Sequence, residues 1–277
     1  SYFHFTLADH VFEIACSVQI FDGCTAVAVT PPASPVTLLG QNWDWKARQK
    51  DSLLLLQIEE PTKPRITMVT EGGIIGKIGC NSAGIGVCLN ALLTTAWSDS
   101  VPIHLGLRAI LKSFTIGEAV SKVSGRQMAS AANFLVASDE GEGRAMAVDI
   151  EVSPQGAEVM FSVDGFIYHT NHICSNHLKN KVNDMYSNVI QDSIVRYNRV
   201  EQLFHKARRE RETITEETLR VWFSDHFNYP DAICRHENKR LPQSLRMKTV
   251  FSIIMNLSEK KVFIGEGNPC SVSYAEV

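Results

Sequence analysis

Residues 24–90 constrain the fold most, because short apolar or β-branched runs there are cut to strand length by Pro31-Pro32, Pro61, Pro64 and Gly72-Gly73. The runs 24–30, 36–40, 53–58, 65–70, 73–79 and 84–90 are predicted to be successive strands of a meandering antiparallel sheet. Helical spacing first enters at Val101–Ser113, where Ile103, Leu107, Ile110 and Leu111 share a face and Pro102 suits the first turn; 116–123 predicts a second helix. Strands resume at 133–138, 144–152, 158–163 and 165–169, with Asp139–Gly143 as a hairpin turn, and supply a second sheet. Residues 173–193 are polar and match neither period. Helices are predicted at 194–211 and 215–223, the latter with Thr215 as its N-cap, and a hairpin of 249–257 and 260–266 closes the chain. This order predicts an α+β fold: a four-layer αββα sandwich of two packed antiparallel sheets flanked by helices.

The formal charge of −3 over 277 residues, without a cationic cluster, argues against a nucleic-acid partner. The longest apolar stretches are too short for a membrane span, and no basic segment followed by an apolar one opens the chain. Seven cysteines, an odd number with no C-x-x-C pair, suit a reducing compartment, with Cys88, Cys174 and Cys234 as buried thiols. An intracellular, cytoplasmic location is therefore expected. The terminal Ala275-Glu276-Val277 is not a peroxisomal tripeptide.

Cys24 follows an Asp-Gly pair at the start of a β-like run. If the Gly23–Cys24 bond is cut, Cys24 gains an α-amine of pKa ~7.7–8.0 beside a thiol of ~8.5, so one residue carries nucleophile and base. Gly23 suits such a cut because it can take a backbone conformation that a substituted residue would resist. Taken alone, a Gly-Cys step is more often a small buried residue after a turn.

Further motifs follow in order: Gly40-Gln41-Asn42-Trp43-Asp44, Glu71 through Gly79, Asn81-Ser82-Ala83-Gly84, His169-Thr170-Asn171-His172 and Tyr229 through Arg235. With Asp22-Gly23-Cys24-Thr25 they resemble the isopenicillin N acyltransferase family of N-terminal nucleophile hydrolases over roughly residues 22–265. That resemblance implies an N-terminal nucleophile hydrolase sandwich and a precursor that cleaves itself at Gly23–Cys24. Residues 1–23 would become a propeptide or short subunit that stays as a partner, and 24–277 the catalytic domain. It further implies acyl transfer or amide hydrolysis through a Cys24 thioester, with an amide or acyl-coenzyme A as donor, an amine or water as acceptor, and no bound cofactor. Cys24 would be the nucleophile and Asn171 an oxyanion donor. Asp44 would steady the Cys24 amine, and Arg235 would fix that carboxylate or a substrate carboxylate. Glu71 and Asn90 are expected to line a substrate pocket, and His169 and His172 to be structural or to line the substrate. The family carries a longer segment upstream of its scissile bond, so an uncut, non-catalytic binding protein is the competing expectation.

His169 and His172 stand three apart without a Cys or carboxylate at zinc-like spacing, so no metal is expected. Gly84-Ile85-Gly86 lacks the third glycine of a dinucleotide loop and leads into a strand-like run rather than a helix. Arg196, Arg199, Lys206, Arg208, Arg209 and Arg211 alternate with glutamates and are expected to form a solvated helix face.

Overall fold

The computed structural model describes residues 23–125, 127–185 and 191–277; apart from Gly23, the expected propeptide lies outside them. Strand β1 (Gly23–Val29) shows how the layers arise. Cys24, Ala26 and Ala28 face one apolar cluster while Val27 and Val29 face another, as period-two alternation requires. A strand buried on both faces needs a layer on each side.

One sheet has six strands in the order β10 (Phe166–His169), β1, β2 (Leu38–Trp45), β11 (Lys248–Asn256), β12 (Lys261–Gly265) and β13 (Ala275–Glu276). The other is a seven-stranded meander of β3 (Leu53–Ile58), β4 (Ile66–Glu71), β5 (Ile78–Asn81), β6 (Ile85–Ala91), β7 (Ala132–Asp139), β8 (Ala145–Ser153) and β9 (Gly156–Phe161). All strand pairs within the two sheets are antiparallel.

Helices α1 (Ile103–Leu111) and α2 (Ile116–Ser121) cover the meander through Ile103, Leu107, Ile110, Leu111 and Ala119. On the six-stranded sheet, α4 (Asp192–Glu210) and α5 (Glu216–Phe223) set Val200, Phe204, Leu219 and Phe223 against Val27, Val29, Leu38 and Ile254. A short α3 (Asn176–Lys179) lies in the stretch that carried no clear period. The four-layer αββα order is the predicted one, and Thr215 caps α5 in a reciprocal box with Thr218.

Two expectations fail. The first six runs do not share a sheet: β1 and β2 join β10 and β11, while β3 to β6 continue into β7, β8 and β9. Pairing between β1 and β10 joins residues about 140 apart, and local patterning carries no information on such a partner. The strand expected over 73–79 shrinks to β5, because Gly73 turns with φ 92° and a buried Glu71–Lys77 ion pair closes the loop.

Candidate active site

Cys24 is fully buried at the start of β1, with its side chain in the core between the sheets. Its backbone N–H donates to Asn171 Oδ1 at 2.8 Å, and its carbonyl accepts from Arg196 Nη1. Register places Gly23 opposite Asp44 and Cys24 opposite Trp43. Thus β2 brings Asp44 beside the Gly23–Cys24 peptide, and the loop after β10 brings Asn171.

Gly23 is needed here for close approach. A Cβ would lie 2.9 Å from Asp44 Oδ2 and 3.1 Å from Arg235 Nε, tighter than packed atoms accept.

Asp44 Oδ2 accepts from Arg235 Nε at 3.2 Å and Oδ1 from Thr249 Oγ1 at 2.7 Å. Arg235 also binds Asp192 and, at 2.8 Å, Asp231 Oδ1. Asp192 in turn accepts from Arg196 Nε at 3.0 Å. Asp44, Arg235, Asp192 and Arg196 therefore form a buried chain of alternating charges under the first strand, with Asp231 at its edge. Burial pushes the Asp44 carboxyl above its ordinary value although Arg235 and Arg196 pull it back. Burial also opposes the charge of Asp192, but Arg235 and Arg196 outweigh it and hold that carboxyl below its ordinary value.

Asn171 is beside Cys24 as predicted, but its oxygen faces the Cys24 nitrogen. Oδ1 takes donors from both Cys24 N and Arg196 Nη2, the latter at 2.9 Å, while Nδ2 donates to the Ala91 carbonyl at 3.1 Å. Ser193 Oγ accepts from Asn171 N at 2.8 Å and lies 2.8 Å from His172 Nδ1, fixing the turn. His172 is held down to about 4, mainly by burial.

His169 Nε2 lies 3.0 Å from Glu151 Oε1 and 3.8 Å from Asp149 Oδ2, so an acid pair and Cys174 gather beside it in space though not in sequence. Burial opposes the His169 charge, but Asp149, Cys174 and Glu151 outweigh it and raise its pKa well above the ordinary value. Burial raises Asp149 to about 7, while Glu151 is held low by His169 and by the Ser175 and Cys174 N–H groups despite its own burial.

Glu71 and Asn90 are buried, and neither lines the cavity beside Phe166, Tyr168 and Phe204 or the one beside Lys46 and Arg246. Glu71 binds Lys77, whose ammonium stands 3.5 Å from the Trp43 ring centroid. Asn90 binds the His169 carbonyl at 3.2 Å and accepts from Asn133 at 3.3 Å. Both support the strands around the site and are not placed to touch a ligand in those cavities. Arg196 corrects another expectation: it is 1% exposed and wired to Cys24 and Asn171, not part of a solvated face. Two residues beyond both Asp44 and Arg235 opens a cleft of about 660 Å3 lined by Lys46, Arg48, Glu237, Gln243, Ser244 and Arg246.

Residues 32–270 match the family described as acyl-coenzyme A:6-aminopenicillanic acid acyl-transferase. The chain belongs to this family. It is 34% identical over 256 residues to the acyl-coenzyme A:6-aminopenicillanic-acid-acyltransferase 40 kDa form of Emericella nidulans, an alignment covering 91% of this chain. The chain spans 66% of that relative's length. Among solved structures, a variant of conjugated bile acid hydrolase from Clostridium perfringens superposes with a TM-score of 0.64 at 13% identity, covering 91% of this chain and 92% of that one. The Caenorhabditis elegans N-acylethanolamine-hydrolyzing acid amidase ortholog gives 0.56 at 18% identity, covering 85% and 93%. At those identities the likeness is one of fold, and the fold is that of the N-terminal nucleophile hydrolases. Among the described residues of this acyltransferase-family chain, no helix is long and apolar enough to cross a membrane.

Proposed function

We propose that this chain is a self-processing N-terminal cysteine acyltransferase or amidohydrolase in which Cys24 is both the cleavage point and the nucleophile. The observation that carries this is the Cys24 N–H bonded to Asn171 Oδ1 at 2.8 Å, at a strand start where Asp44 and Arg235 crowd Gly23. In the cut, Cys24 Sγ attacks the Gly23 carbonyl carbon and the C–N bond breaks. The thiol proton passes to the departing nitrogen, and water then hydrolyses the thioester to a Gly23 carboxylate and the free thiol.

The new α-amine inherits the position of the amide nitrogen. Asn171 Oδ1 accepts one of its hydrogens and so orients its lone pair, and the amine removes the thiol proton as sulfur attacks an acyl carbonyl. The leaving amine or thiol takes that proton, and an amine or water resolves the Cys24 thioester. The geometry favours Asn171 as the holder of the amine, because its Nδ2 is given to Ala91. Asp44, held by Arg235 and Thr249, supplies negative potential that stabilises the amine when it is protonated. The cationic cleft beside Lys46, Arg48 and Arg246 suits the anionic end of a donor such as acyl-coenzyme A.

One observation favours an uncut binding protein instead: Cys24 has no exposed surface in the intact chain. Intact mass decides between the two. The enzyme reading expects Ser1–Gly23 and Cys24–Val277 from the wild type and an uncut chain from Cys24→Ala. A wild-type chain that stays whole and forms no thioester with a pool of acyl-coenzyme A and amide compounds would overturn it.

A further inference from the structure

Four metal-ligating side chains converge away from Cys24. His226, Cys234, His236 and Cys270 bring one ligand atom each to within 4.8 Å of all the others. Three turns supply them: His226 follows α5, Cys234 and His236 flank Arg235, and Cys270 follows β12. His236 Nε2 lies 3.0 Å from His226 Nε2, 3.6 Å from Cys234 Sγ and 3.5 Å from Cys270 Sγ.

Hydrogen bonding to His236 alone does not account for this convergence. A ring nitrogen has one proton or one lone pair in its plane, so three neighbours at these distances leave at least two without a share. A central cation satisfies all four at once. With bonds of about 2.0–2.1 Å to nitrogen and about 2.3 Å to sulfur, a tetrahedral zinc ion sets its ligand atoms about 3.3 Å apart for N–N and about 3.6 Å for N–S. The three edges at His236 run in that order, 3.0 Å to nitrogen and 3.5 and 3.6 Å to sulfur.

We propose that His226, Cys234, His236 and Cys270 form a structural Cys2His2 zinc site that clamps the turn carrying Arg235. Four protein ligands leave no open position, which suits structure rather than metal catalysis. Binding exchanges two thiol protons, released to solvent, for two Zn–S bonds, with no redox change. Asn268 serves the outer shell: Nδ2 lies 3.6 Å from Cys234 Sγ and 2.7 Å from the Arg235 carbonyl. Backbone bonds from Cys234 N to Asp225 O at 3.0 Å and from His236 N to Pro230 O at 2.9 Å hold the turn for the metal. The ion would thus tie α5, the Arg235 turn and the segment after β12 into one unit and fix the guanidinium that binds Asp44.

The test uses the full chain, expressed with added zinc and purified without metal resin, with metal measured by atomic emission and Co(II) exchanged for zinc. We expect about one zinc per chain and a cobalt spectrum with thiolate charge-transfer and tetrahedral ligand-field bands. His226 and Cys270 are exposed, so His226→Ala and Cys270→Ser should keep the fold by circular dichroism yet lose the metal or the thiolate bands. Asn268→Ala should weaken the metal by about 10–100-fold. Cys174→Ser, at the separate Glu151–His169 cluster, should leave it unchanged. A reduced, folded protein that takes up neither ion would overturn the proposal. So would a Cys234–Cys270 disulfide in metal-free protein, or stoichiometric metal retained in His226→Ala/Cys270→Ser.

Discussion

Arg196→Met tests the buried chain of charges where it joins the nucleophile. Arg196 has four partners: Asp192, the Cys24 carbonyl, Thr25 Oγ1 at 3.0 Å and Asn171 Oδ1. Its loss leaves Asp44 and Asp192 with Arg235 as their shared guanidinium, which Asp231 also engages. Asp192 keeps Arg235 and Asn171 keeps the Cys24 N–H, so neither is stranded; the Cys24 carbonyl loses its charged donor, and Asp44 loses one of the two cations that restrain its upward shift. Breaking a buried pair of this kind costs about 3–5 kcal/mol. At ~2.1 cal/mol/K of unfolding entropy per residue, a chain of 277 residues would lose about 5–9 °C in Tm. The assay is urea unfolding beside calorimetry, with Arg196→Lys as the milder variant: it retains the charge but not the fork that spans Asp192 and Cys24. A change under about 1 kcal/mol in Arg196→Met, with an unchanged m-value, would refute the view that this guanidinium holds the start of β1.

Three other outcomes are expected. Gly23→Ala should cost about 1–3 kcal/mol by crowding Asp44 and Arg235, and on the proposed mechanism should slow the release of the 24–277 fragment seen by mass; wild-type stability and cleavage would remove the steric argument. Asp149 has a folded pKa of about 7, above its unfolded value of ~3.9, so the folded state binds more protons between those values and loses stability as pH rises through them. Asp149→Asn should flatten that decline, a gain of up to about 4 kcal/mol at pH 8 relative to pH 4 in urea melts, and parallel curves for the two proteins would count against it. Lys77→Met leaves Glu71 buried without its cation and should cost about 3–5 kcal/mol, whereas Lys77→Met/Glu71→Gln should recover most of this; equal losses in the single and double variants would mean that contact with Trp43, not charge pairing, is what matters.

Which parts of this molecule were legible in its sequence follows from the range of the forces involved. Strand and helix positions rest on local period and punctuation, and Thr215 or the hairpin of β11 and β12 could be placed from neighbours alone. Cys24, Asp44, Asn171 and Arg235 were assembled by motif resemblance, and the fold does gather them: Asn171 beside Cys24, and Asp44 and Arg235 beside Gly23. Which atom of Asn171 faces the cysteine was not legible, because it depends on Arg196 and Ala91 arriving from elsewhere in the chain. Sheet membership was equally long-range. Arg196 is the instructive failure, since a signal for it existed. It shares a helical stripe with Asp192, Val200, Phe204 and Ala207, all buried, whereas Arg199, Arg208, Arg209 and Arg211 lie off it. Counting basic residues along the helix hid this; sorting them by face would have put one arginine on the apolar side. A guanidinium there must find carboxylates or carbonyls to offset its desolvation. Such a position asks at once which acid answers it, and Asp192, one turn earlier on the same stripe, is that answer.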